Sequence, residues 1–360
     1  MTVKKLRVAV IGIDHVHTNG MIREFTDNPN AELAGIAPYK KCTEDELRFK
    51  LQKHTPQEID LTVYRDYKEL LSSDIDIAVI CTQVTEYADI VEETLALGIN
   101  TIIEKPMALT MAEAKRMFCA YKSGSAKLMI NWPVAWFDSF RKVKELADAG
   151  AVGEVLRVEY RSPATCGPYA RGELSPTECS ELWWFRRSEG GGSISDYAGY
   201  GCLLTTWIAG TAAKRVSGFK KNYLIPFSDV EDYATFTIDF GRIIGIIEAS
   251  WSTHSNGQIP TGPVVYGTDG TIVADRHSNI VKVYRENDRY RPSCEPTECY
   301  TCENLSDRVA DAMVDYLLKG KMIHELTTPE FNMKAMAAFD AGIRSCNSGK
   351  TEDAYEPFGF

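Results

Sequence analysis

The turn Gly12-Ile13-Asp14-His15-Val16-His17 follows directly on a short apolar run and is rich in side chains that could do chemistry. Where a glycine-rich turn joins a strand to a helix, each glycine has a task. The first makes the tight turn, the second admits a pyrophosphate to the backbone, and the third lets helix and strand pack closely. The phosphate then rests at the positive end of the helix. Here only Gly12 is kept, with Asp14 at the second position and His17 at the third. Asp14 would repel and crowd a phosphate. The loop has two other readings: Asp14 as a helix N-cap, or His15 and His17 pairing with Asp14 as metal ligands. Two histidines in one loop are more often surface residues, so no metal is expected.

Other stretches carry similar potential. The second apolar run ends Ala37-Pro38-Tyr39-Lys40-Lys41, without the carboxylate that would bind an adenosine ribose diol. Lys40 and Lys41 suit a 2′-phosphate instead, though a solvated lysine pair is the plainer reading, so NAD and NADP both stay open. Thr82 and Gln83 end a third run, where an open α/β sheet places its ligand. Asn131 and Trp132 end a fifth. Trp183, Trp184, Arg186 and Arg187 precede Gly190-Gly191-Gly192. Tryptophan faces stack on sugar rings and arginine donates to hydroxyls or carboxylates; core tryptophans and surface arginines are the alternative. Tyr160, Arg161 and His254 are further substrate-pocket candidates. Cys299-x-x-Cys302, with Cys294 nearby, lacks the second close pair of a zinc site, and free loop thiols are expected.

These residues need elements to hold them. Apolar runs at 5–13, 32–37, 76–81, 100–103 and 127–130 alternate with helical stretches at 19–27, 66–71, 87–97 and 110–123. That alternation predicts parallel βαβ units and a doubly wound sheet. Beyond residue 150 the rhythm changes. Strand patterns at 153–161, 233–239, 242–252, 264–266, 271–274 and 280–285 predict an antiparallel meander, followed by helices at 305–318 and 329–345. Two domains are expected, 1–128 and 129–360.

Composition narrows the function classes. A chain of 360 residues is too long for one ordinary core. A net charge of −10 without a Lys/Arg cluster argues against nucleic acid. No apolar run approaches the roughly 20 residues of a membrane span, and the start, MTVKKLRVAVIG, reads as a strand rather than a signal peptide. Ten cysteines point to a reducing compartment, hence the cytoplasm.

The stretch TIIEKPMALTMAEA (101–114) resembles the glucose–fructose oxidoreductase / inositol dehydrogenase / MocA family, whose hallmark is Glu-Lys-Pro after the fourth strand. Gly150-x-x-Gly153-Glu154-Val155 is similar to that family's entry to its second domain. Gly190-Gly191-Gly192-Ser193-Ile194-Ser195-Asp196 is similar to its Gly-rich loop, and Phe331-Asn332-Met333 with Asp340-Ala341 to its last helix. The resemblance implies an N-terminal Rossmann domain and a C-terminal domain with a large, mostly antiparallel open sheet. It implies NAD or NADP as cofactor, held by Gly12, Ile13, Asp14, His15, Tyr39, Lys40, Thr82, Gln83, Glu104, Lys105 and Asn131. By position it places Lys105 near the reacting carbon and Asp196 in the same pocket. The family often has His four residues after that Asp; this chain has Tyr200, as in a Tyr-using sub-type.

Alcohol oxidation needs a hydride to leave carbon and a proton to leave oxygen. Tyrosine is a poor base at its ordinary pKa of about 10, and a neighbouring Lys⁺ would stabilise its phenolate. The expected roles are therefore Tyr200 as acid/base, Lys105 as its electrostatic partner, and Asp196 as a holder of Lys105 or of a substrate hydroxyl. Trp132, Arg161, Trp183, Trp184, Arg186 and His254 are the expected substrate contacts. The expected activity is dehydrogenation of a sugar, polyol or glycoside hydroxyl, the 3-position included. The competing readings are a reductase of a small cyclic diol or imine, and a non-catalytic cofactor-binding regulator. A homodimer or tetramer through the open sheet is expected.

Overall fold

The computed structural model describes residues 4–163, 175–180, 182–254, 259–275, 278–285, 294–303 and 308–359. In chain order the elements are β1 (Leu6–Ile11), α1 (Thr18–Asp27), β2 (Ala31–Ala37), α2 (Glu44–His54), α3 (Tyr67–Leu71), β3 (Ile77–Ile80), α4 (Tyr87–Ala96), β4 (Asn100–Glu104), α5 (Met111–Ser123), β5 (Leu128–Asn131) and α6 (Asp138–Asp148). Then come β6 (Val155–Pro163), α7 (Pro176–Ser180), α8 (Gly199–Ala209), β7 (Arg215–Lys221), β8 (Tyr233–Asp239), β9 (Ile244–Ser250), β10 (Pro263–Gly267), β11 (Gly270–Ala274), β12 (Ile280–Arg285) and β13 (Glu298–Thr301). The chain closes with α9 (Val309–Lys319), α10 (Pro329–Ser348) and β14 (Glu352–Asp353).

Two compact units divide the chain. The first comprises Met1–Ala108, Ala112–Asn131 and Ser306–Glu330; the second comprises Leu109–Met111, Trp132–Leu305 and Phe331–Phe360. In the first unit, five parallel strands run in the order β2-β1-β3-β4-β5. Strands of such a sheet are covered on both faces, which is why β3 reads IAVI and is buried throughout. The polar helix α2 buries only Leu47, and a capping box between Thr43 and Glu46 fixes its start. Segment 306–330 returns to this unit: Asn28 Nδ2 donates to Asp311 Oδ1 at 2.7 Å, joining α1 to α9.

The second unit is a nine-stranded sheet in the order β13-β12-β11-β10-β6-β9-β8-β7-β14. Its pairs are antiparallel except β6 with β9, which run parallel. The sheet is mostly antiparallel, as expected; one neighbouring pair, β6 with β9, departs from a simple meander. The chain leaves β6, crosses through α8 and returns by the β7-β8-β9 hairpins, so β9 lands beside β6 in the same direction. Helix α8 packs on the face formed by these two strands. Gly201 permits the close approach, since a Cβ there would lie 2.6 Å from Ile247 Cγ2. No helix among the described residues is long and apolar enough to cross a membrane.

Candidate functional site

In the first unit, every residue expected to hold the cofactor lies at the C-terminal ends of the parallel strands. Gly12 to His15 follow β1, Tyr39 and Lys40 follow β2, and Thr82 and Gln83 follow β3. Glu104 ends β4, with Lys105 next to it, and Asn131 ends β5. The strand order reverses between β1 and β3, the point at which an open α/β sheet takes its ligand. Gly12 has φ +89°, and a Cβ on it would lie 2.3 Å from Thr82 Cγ2 and 2.8 Å from the Cys81 carbonyl. Only glycine fits this turn, and the N-terminus of the ten-residue α1 follows it. Ile13 is wholly buried, so its side chain belongs to the core.

Asp14 is not the helix N-cap; that position is His17. Its carboxylate lies 2.6 Å from Lys50 Nζ on α2. The lysine offsets the negative charge that the sequence places at the phosphate turn, so the residues fit a dinucleotide. Lys50 was missed because α2 has no apolar stripe; the Thr43/Glu46 capping box was the available signal. Lys40 pairs with the buried carboxylate of Glu86.

His15 is buried and His17 half-buried, which corrects their reading as surface residues. The carboxylate that joins them is Glu104, not Asp14. His17 Nδ1 lies 3.0 Å from Glu104 Oε2, and Asn131 Nδ2 donates to Glu104 Oε1 at 2.7 Å. Burial alone would raise the Glu104 carboxyl; the charge and hydrogen bond of His17, with His15 and Asn131, outweigh it and bring it down to about 2. The peptide bond from Lys105 to Pro106 is cis, and Lys105 is buried.

Beside this loop, burial lowers the His54 imidazole from 6.5 to about 4, with Lys53 and Lys50 adding to the effect and Asp14 opposing it. Above 6.5 neither folded nor unfolded chain binds the proton, and below about 4 both do. Between those values the unfolded chain binds more, so stability falls as the pH drops through this window. Discounted for partial exposure, the loss is roughly 1–3 kcal/mol. Thermal unfolding between pH 7 and pH 4 should show it, with the slope flattened in His54→Asn.

In the second unit, Asp196 lies on a π-helical turn, Ile194–Ala198, that runs into α8. Tyr200 follows one turn later and is buried. Such turns recur at functional sites. Trp251 Nε1 donates to Asp196 Oδ2 at 3.0 Å. The Trp132 ring meets Tyr200 edge-on at 5.2 Å, and Trp132 Nε1 donates to Asn332 Oδ1 at 2.7 Å. The buried Glu231 accepts from the Ile194 N–H at 3.1 Å and so fixes the start of the turn. Trp251 and Glu231 carry no local motif, and the sequence offers no signal for either.

Trp183 and Trp184 stack at 3.8 Å in a cluster with Phe185, Val230 and Trp251, so they adjoin Asp196 through Trp251. Arg186 is held by Glu189 at 2.6 Å and by the Ser180 carbonyl. His254 is exposed. Arg161 pairs with Glu248 at 2.5 Å. Neighbouring residues on a strand face opposite sides; Tyr160 is buried against the helical side, which leaves Arg161 on the face away from Tyr200. The structure does not bring Arg161 to the Asp196–Tyr200 pair.

This combination defines a class: a Rossmann unit with its ligand edge at the ends of β1 to β5, joined in sequence to an open-sheet unit. Residues 6–132 match the oxidoreductase family model with an NAD-binding Rossmann fold, and residues 140–273 match the GFO/IDH/MocA C-terminal domain. The chain belongs to the Gfo/Idh/MocA oxidoreductase family. It is 28% identical over 165 residues to a D-apiose dehydrogenase of Paraburkholderia graminis, covering 45% of this chain and 42% of that protein. It is 26% identical over 213 residues to a D-xylose 1-dehydrogenase [NADP(+)] of Haloarcula marismortui, covering 58% and 56%. The chain thus matches about half the length of these relatives. An NAD-binding protein from Listeria innocua shares the fold over 99% of this chain and 98% of its own, with a TM-score of 0.78 at 18% identity.

Proposed function

We propose that the protein is a dinucleotide-dependent dehydrogenase acting on a secondary hydroxyl of a sugar, polyol or glycoside, the 3-position of a glycoside included. The observation that carries this reading is the Asp196–Tyr200 pair. The two lie on consecutive turns, Asp196 fixed by Trp251 and Tyr200 by Trp132. The nicotinamide supplies the hydride chemistry when bound. Tyr200 takes or gives the hydroxyl proton. Asp196 holds a substrate hydroxyl, and the role proposed for Lys105 is that of a cation that favours the deprotonated form of the acid/base. Trp183, half-buried, offers a face for a sugar ring. A regulator reading draws on Asp14 in the phosphate turn, but Lys50 weakens that objection.

The test is the appearance of reduced nicotinamide absorbance with NAD or NADP and a panel of aldoses, inositols and glycosides. Dinucleotide binding without turnover on any of them would sink the enzyme reading in favour of the regulator.

For the cofactor's form we propose that Lys40 and Lys41 read a 2′-phosphate. Lys40 is mostly exposed beyond the tip of β2 and steadied by Glu86. Changing both lysines to Ala should weaken NADP binding about ten- to hundred-fold, the worth of a charge-assisted contact, and leave NAD nearly unchanged. Calorimetry decides it, and equal losses for the two cofactors would count against it.

The proposal extends to a cytoplasmic homodimer or tetramer through the open sheet. Ile244, Ile246, Val264 and Val273 stand half-exposed on its outer face. Light scattering on the purified chain measures the oligomer.

A further inference from the structure

The His-x-His of the β1 turn has no part in the proton transfer assigned to Tyr200 and Lys105. Yet the fold draws both rings to one buried carboxylate. His15, His17 and Glu104 each offer a ligand atom, and these atoms lie within 4.8 Å of one another. We propose that they bind a divalent first-row transition ion.

The donor set is two imidazoles and one carboxylate, which suits zinc, iron(II) or cobalt(II) rather than magnesium or calcium. Ligand atoms each about 2 Å from one ion lie roughly 3.0–3.4 Å apart; His17 Nδ1 and Glu104 Oε2 are already 3.0 Å apart. The His17 peptide N–H lies 3.2 Å from His15 Nδ1. That hydrogen bond orients the His15 ring within the turn. Glu104 is fully buried and held from behind: Asn131 takes its other oxygen at 2.7 Å. Such outer partners orient metal ligands. The His17 side chain is 37% exposed, which leaves a way in. Three protein ligands leave a tetrahedral position for water or an anionic oxygen. Asp14 is committed to Lys50 and takes no part.

Cobalt(II) titrated into the metal-free full-length protein tests this. We expect one equivalent per chain, with visible d–d bands and without the near-ultraviolet charge-transfer band of cobalt–thiolate ligation. His17→Gln can keep a hydrogen bond to Glu104 and so guards the fold, checked by circular dichroism. It should weaken cobalt binding by more than tenfold. Asn131→Ala should weaken it about 10- to 100-fold through the orientation of Glu104, and Asp14→Asn should not change it. Absence of stoichiometric cobalt in the folded protein would overturn the site and leave a hydrogen-bonded trio. Binding that survives His17→Gln and carries the thiolate band would also overturn it, and would assign the ion to cysteines.

Discussion

Tyr200→Phe is expected to lower turnover about 100- to 10,000-fold, the worth of a general acid/base, while cofactor affinity stays near wild type. The substitution keeps the ring that packs edge-on against Trp132 at 5.2 Å and removes only the hydroxyl. Folding should therefore be unaffected, and the loss should fall on proton transfer. Lys105→Met should lose a similar factor. If the two act as one unit, the double variant should fall well short of the product of the single losses. The basic limb of the pH–rate profile should disappear in Tyr200→Phe. Turnover near wild type in that variant would move the proton to Asp196, His254 or a bound water.

Gly12→Ala should abolish dinucleotide binding and cost the first unit about 2–5 kcal/mol, from a left-handed backbone and from overpacking. The added Cβ would meet the Thr82 methyl at 2.3 Å and the Cys81 carbonyl at 2.8 Å. A methyl can be removed, but a strand backbone cannot move without breaking the β1–β3 pairing. Thr82→Ser in the Gly12→Ala background should therefore restore only part of the stability. Thermal unfolding and calorimetry with NAD check both parts. A Gly12→Ala protein that unfolds at the wild-type temperature and binds NAD normally would show that the turn tolerates a side chain.

The first unit was legible because parallel strands buried on both faces leave a simple trace. Runs such as VAVI and IAVI stop where the chain must turn, at Gly12 and after Cys81. Helix α2 was not legible, since its eleven residues are mostly charged and only Leu47 is buried. Strand β7, RVSGFKK, was missed for the same kind of reason. It lies near the sheet edge and buries only Val216 and Gly218, too little for an apolar alternation to show.

The sequence by itself determined the classes of the two units and the strand ends at which the proposed cofactor residues stand, because apolar runs and their breaks encode such features directly; Asp196 and Tyr200 were singled out by the family resemblance. Tertiary structure alone decided the long-range partners. Glu104 meets His17 across 87 residues, Trp251 meets Asp196 across 55, and Asp311 returns to Asn28 across 283. The parallel pairing of β6 with β9 belongs with them. Which strands lie side by side depends on how the helices cover the sheets, and a local pattern of apolar and polar residues carries no record of that choice.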